Sequence, residues 1–105
     1  MTAYKTTVYV PQVKDHELLV RLYYGQTEIS ARDIQRIFGV SYSTAQRLKA
    51  RAREEMTAKG TVSWNPRMVN VDDALRSWGV DIGKVERATK KLRLNQNEGG
   101  GTNNE

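Results

Sequence analysis

One glycine set between two capped helical stretches limits this chain more than any other feature. In residues 29–56, ISARDIQRIFGVSYSTAQRLKARAREEM, Ser30 stands as an N-cap with Asp33 three residues on. At that spacing the cap hydroxyl and the acid can each satisfy the other's backbone amide. Ile29 and Ile34 hold the two positions of a hydrophobic staple, and Ala31, Ile34, Ile37 and Phe38 build one apolar face. Gly39 ends this helix, because a left-handed backbone costs glycine nothing and lets the chain reverse within three or four residues. Ser41 caps a second helix whose apolar stripe is Ala45, Leu48, Ala52 and Met56. Ser43, Gln46, Arg47 and Ala50 point the opposite way at about 100° per residue. One side of that helix is made to pack, and the other is left free.

The remaining composition sets bounds. The 105 residues are expected to form one domain of about ninety, because the stretch at 95–105, NQNEGGGTNNE, has no apolar residue with which to offset its ordering entropy and reads as a disordered tail. A core of that size leaves no room for a deep substrate cavity. There is no cysteine, which excludes disulfides and thiolate metal sites and suits a reducing cytoplasm. No run of eighteen apolar residues and no signal-peptide pattern occurs, so the expectation is a cytoplasmic chain with no membrane partner. The net charge of +5 is concentrated. Between Ser30 and Gly60, Arg32, Arg36, Arg47, Lys49, Arg51, Arg53 and Lys59 stand against Asp33, Glu54 and Glu55 alone. A polyanionic partner is the functional meaning of that excess; solvation of an exposed helix is the plain one.

In chain order, residues 4–10, YKTTVYV, alternate well enough for a short edge strand or arm, closed by Pro11. Asp15 caps a helix through Tyr24, packed by Leu18, Leu19, Leu22 and Tyr23 and stopped by Gly25, and residues 27–29 suit a very short strand. His16 has no second ligand at metal spacing and reads as a surface residue. The segment 61–69 reads as two short strands joined at Asn65-Pro66, with Val62 and Trp64 on one face; the hairpin either projects from the domain or only covers the core with Trp64 as its plug. Residues 70–78 have Val71, Ala74, Leu75 and Trp78 at helical spacing, which makes Trp78 a core anchor. Asp81 caps a last basic helix through 94 with a narrow seam of Ile82, Val85, Thr89 and Leu92. That seam can dock on the domain, dimerise or fray. Glu54 and Glu55 diverge on their helix and need no special role.

The stretch GVSYSTAQRL resembles the helix-turn-helix of bacterial and phage DNA-binding proteins, and the 29–56 unit covers about a quarter of the chain. In that family a small residue sits four places before the turn glycine; here the place is Gln35, which must snorkel or push the helices apart. With the following segment, the order of elements resembles a winged helix-turn-helix: mainly α with a small β-hairpin, four to five helices and a disordered C-terminal tail. The divisions are an arm at 1–12, the winged domain at 13–79 with its helix-turn-helix at 30–56 and its wing at 61–69, the basic helix at 80–94 and the tail at 95–105.

The resemblance implies sequence-specific binding of double-stranded DNA by a recognition helix, 41–56, in the major groove. Carried over residue by residue, it makes Ser43, Gln46 and Arg47 the base readers, with Arg47 suited to guanine and Gln46 to adenine. Ser41 and Tyr42 suit phosphate oxygens, as do Arg32 and Arg51 on the flanks, and the wing would bring Arg67 to a phosphate. A small transcriptional regulator of phage or mobile-element type is the role this suggests, acting as a homodimer or with a partner protein. An excisionase-like architectural protein and a non-catalytic interaction module are the alternatives. No phosphate-binding glycine loop, histidine pair or triad is present, so no enzyme, no cofactor and no metal are expected.

Overall fold

A computed structural model describes residues 4–103 of the chain, with side chains through Leu94. The elements run α1 His16–Gly25, β1 Glu28–Ser30, α2 Ala31–Phe38, α3 Tyr42–Lys59, β2 Met68–Asn70, α4 Val71–Trp78 and α5 Ile82–Asn103. The layout is mainly helical with a small two-stranded antiparallel element, in outline that of a winged helix.

The local signals act as their chemistry requires. Asp15, Ser30, Ser41 and Asn70 each accept a backbone N–H of the helix they open, and Ser30 with Asp33 forms the complete capping box. Gly39 takes φ 66°, and an added Cβ there would lie 2.6 Å from Cδ of Lys14. Gln35 resolves its misfit by snorkelling: its side-chain Nε2 donates to the Val40 carbonyl at 3.4 Å, and its own carbonyl accepts the Gly39 amide at 2.7 Å. The longer side chain thus ties down the turn it was expected to disturb. Leu19, Ile29, Ile34, Ile37, Leu48 and Val69 are fully enclosed, and Trp78 meets Phe38 edge to face with ring centroids 5.2 Å apart. The Trp78 indole N–H donates to the Leu48 carbonyl at 2.9 Å, so α4 is fixed to α3 by apolar area and by one buried polar bond.

Two strand assignments are corrected. Residues 4–10 form no strand; they run as an irregular arm along α3. The segment 61–69 is no hairpin either, since only its end enters β2, and β2 pairs with β1 in the register Glu28↔Asn70, Ile29↔Val69, Ser30↔Met68. The reason lies in the donors. Pro66 has no amide to give, and the Trp64 and Asn65 amides are both spent on the carboxylate of Glu28. Trp64 is 80% exposed and Val62 65%, so neither plugs the core. The tail expected from residue 95 adds no described side chain; the backbone of α5 continues to Asn103, and residues 104 and 105 lie outside the described residues.

The pairing exposes a repeat. β1-α2-Gly39-α3 and β2-α4-Gly79-α5 follow the same plan, with Ser30 and Asn70 as caps, Asp33 and Asp73 in the first turn, Phe38 and Trp78 at the end, then Gly-Val and a capping Ser41 or Asp81. Gly79 takes φ 71°, close to that of Gly39, and Val80 bonds back to Leu75 as Val40 does to Gln35. Equivalent residues touch each other, Ile29 with Val69 at the centre of the strand pair and Phe38 with Trp78 in the core. Mutual contact between equivalents is the signature of a local twofold axis.

The seam of α5 docks on α1. Val85 and Thr89 are buried, the Tyr24 hydroxyl donates to Glu86 at 2.8 Å, and Arg93 lies 3.5 Å from Glu17. That last pair is exposed on both sides and adds little. Leu92 and Leu94 remain about half exposed, so only the first turns of the seam are covered.

Candidate nucleic-acid interface

α3 is about 27 Å long, and its amino-terminal half is the open part. Ser41, Tyr42, Ser43 and Arg47 are exposed and Gln46 is half-buried, while Ala45 and Leu48 on the opposite side are closed against the body. The Ser41 hydroxyl is already engaged as the cap, accepting the Thr44 amide at 3.2 Å. What it leaves for an anion is the set of free amides at the helix start. Gln46 Nε2 donates to the Tyr42 hydroxyl at 2.8 Å, one turn away. The amide is held in one orientation with its oxygen and second hydrogen unspent.

Tyr42, Gln46 and Lys49 follow one another up a single stripe of α3 and form one wall of a groove of about 470 Å³. Arg32, from the first turn of α2, and Arg67, just before β2, complete it with Ser30 and Ala31. Three cations line this groove and no carboxylate does. Burial, and then repulsion from Arg53, hold the Lys49 ammonium below the ordinary lysine pKa. Its one partner is a neutral acceptor, the Arg67 carbonyl at 3.3 Å. A bound anion would relieve that unfavourable clustering. Arg67 therefore reaches the groove although the hairpin expected to carry it does not form. Arg47 and Ser43 stand on the adjacent flank of the same helix, still exposed.

Arg51 departs from its expected place among the phosphate contacts. Its guanidinium stacks on the Tyr4 ring, 4.4 Å from the centroid, and donates to the Val8 carbonyl at 3.4 Å. The arm has taken it. The two glutamates that looked idle complete the attachment. Glu55 is buried and accepts the Tyr4 hydroxyl at 2.8 Å; Glu54 accepts the Lys5 amide at 2.7 Å and the Thr6 amide and hydroxyl. Burial, and next the bond to Glu55, push the Tyr4 phenol above its usual range, which keeps it a donor.

The Thr6 hydroxyl, then the Lys5 and Thr6 amides, hold the Glu54 carboxyl below the usual range against the opposing effect of desolvation. A lowered folded value means that the contact contributes fully above the unfolded pKa of about 4.3 and is lost as pH falls through the folded value. Acidification below about 4 should therefore move the Thr6 amide resonance in one titration, and Glu54→Gln should abolish that movement. A Thr6 amide indifferent to acid in the parent would mean the arm is held by something else.

The twofold repeat supplies an internal comparison. At the positions equivalent to Tyr42, Ser43, Gln46 and Arg47, the second repeat has Ile82, Gly83, Glu86 and Arg87. Ile82 packs at the core margin and Glu86 is tied to Tyr24. The second unit has turned Ile82 to the core margin and tied Glu86 to α1, leaving only Arg87 exposed of these four positions, whereas the first keeps Tyr42, Ser43 and Arg47 exposed with Gln46 beside them. Sequence reasoning counted Lys49 as charge without placing it in the site, and it missed Glu28 and the repeat. The spacing of Gly-Val-cap at 39–41 and 79–81 was the available signal.

Among the described residues there is no cluster of three metal-ligating side chains, and no helix is long and apolar enough to cross a membrane. Comparison of the chain with protein-family models, with curated proteins and with solved structures finds no match in any of the three.

Proposed function

We propose that this chain binds double-stranded DNA sequence-specifically, with the amino-terminal half of α3 in the major groove, and acts as a small transcriptional regulator of phage or mobile-element type. The observation that carries this reading is the carboxylate-free groove where Arg32, Lys49 and Arg67 converge beside Tyr42 and Gln46. Its cations suit phosphates, and the adjoining polar side chains suit base edges. Arg47 is free to bridge guanine O6 and N7, and Gln46, steadied by Tyr42, to take adenine N6 and N7. One small domain makes few base contacts, so the working unit is a homodimer on half-sites about 34 Å apart, or this chain with a partner protein.

Titration of labelled duplexes at two salt concentrations tests it. Arg47→Ala should lose about 1–3 kcal/mol on a selected site and relax one base position. Lys49→Ala should weaken every sequence alike and reduce the salt slope by about 1. Arg51→Ala should leave that slope unchanged, because its guanidinium already serves the arm. Equal losses from Arg47→Ala on selected and random DNA would remove the readout.

A further inference from the structure

Trp64 is the largest side chain that the fold leaves in solvent, at 80% exposure, and it stands on backbone that is held from several directions. Its own amide and that of Asn65 donate to Oε2 of Glu28 at 3.0 and 3.4 Å, and Glu28 is itself buried in β1. Asn65 closes the loop on itself: its side-chain oxygen accepts the Arg67 amide at 2.9 Å and its carbonyl accepts the Met68 amide at 3.0 Å. From α3, Arg53 donates to the carbonyls of Pro66 and Met68, and Lys49 to that of Arg67. The buried carboxylate, the internal turn and the two cations leave the loop backbone little freedom. The indole it presents makes no contribution to the core.

A fixed, exposed tryptophan is a surface for a partner, since burying it there yields large area at small ordering entropy. The surroundings select the partner's chemistry. The loop from Gly60 to Arg67 contains no acid, its flanks are Lys49, Arg53 and Arg67, and the carboxylate beneath it is buried and spent. Flat apolar rings carried on a polyanion are what such a face accepts.

We propose that Trp64 is a wedge that stacks into a base step of the duplex beside the α3 site, kinking it, with Glu28 the positioning residue that aims it. This rests on the reading of α3 as the groove-bound helix. The price of unstacking falls on the DNA, and the wider wrap brings Arg67 and Lys49 onto the backbone. An architectural contribution then accompanies sequence reading in the same small domain.

The test compares the parent, Trp64→Ala, Trp64→Phe and Arg47→Ala on a duplex selected from a random pool, with end-to-end energy transfer reporting the bend. Trp64→Ala should melt like the parent, bind roughly 5- to 100-fold more weakly and leave the duplex straight; Trp64→Phe should keep part of both. In the parent, iodide should quench Trp64 emission freely without DNA and poorly with it. Trp64→Ala binding and bending as the parent does, while Arg47→Ala loses affinity, overturns the wedge and spares the α3 reading. If the parent selects no sequence and Arg47→Ala changes nothing, the α3 reading itself fails. An indole still open to iodide in the complex also overturns the proposal.

Discussion

Trp78→Ala should destabilise the domain by about 3–5 kcal/mol, the range for deleting a buried aromatic side chain. Three losses coincide at this position. The indole area is removed from a site only 6% exposed, the edge-to-face contact with Phe38 disappears, and the Leu48 carbonyl inside α3 loses the donor it accepts from. Because Trp78 and Phe38 are equivalents that meet near the local twofold axis, the cavity opens between the two repeats, where neither can collapse alone. At about 4–8 °C per kcal/mol for a domain of this size, thermal unfolding should come roughly 12–40 °C lower. Against a total stability of about 5–15 kcal/mol, that loss is a large fraction of what holds the domain folded. The same substitution at Trp64 should change stability by no more than about 0.5 kcal/mol. Melting curves followed by circular dichroism check both, and a Trp78→Ala domain that melts with the parent would mean the two repeats are held together elsewhere.

The two tryptophans show what could be read from the chain and what could not. Trp78 lies on a helical stripe with Val71, Ala74 and Leu75, and periodicity over two turns of helix is enough to place it inside. The caps Ser30, Ser41 and Asn70 and the turn at Gly39 were legible for the same reason: each is settled by residues within about four positions. Trp64 offered an alternating pattern that suits a strand equally well, and its fate was decided by Glu28, far back in sequence. Strand pairing was lost in the same way, because β1 and β2 have three residues each and two helices between them. Arg51 was placed on the flank of α3 and Glu54 and Glu55 were given no role, because the spacing along one helix carries no sign of the arm that takes all three. Of the anticipated contact set, Ser43, Gln46, Arg47, Tyr42, Arg32 and Arg67 remain accessible or half-accessible, Ser41 is engaged as a cap, and Arg51 is withdrawn.

Salt should discriminate between a groove of three phosphate-binding cations and a diffuse positive surface. If Arg32, Lys49 and Arg67 each neutralise one phosphate, log affinity should fall against log salt with a slope of about −2.7 per protomer, twice that for a dimer. Raising salt from about 50 to 200 mM then weakens a monomer about 40-fold and a dimer about 2,000-fold. Replacing all three by alanine should flatten the slope nearly to zero while leaving the fold intact, since Arg32 and Arg67 are exposed and the Lys49 ammonium serves only a carbonyl. The basic residues of α5, Lys84, Arg87, Lys90 and Lys91, sit on the repeat that has turned Ile82 to the core margin and tied Glu86 to α1, and their replacement should leave the slope as it was. The reverse result, a slope that survives the loss of Arg32, Lys49 and Arg67 but collapses with the α5 cations, would move the interface to the other repeat. Nucleic acid would then meet the chain as a sheath of charge, with no helix inserted to read it.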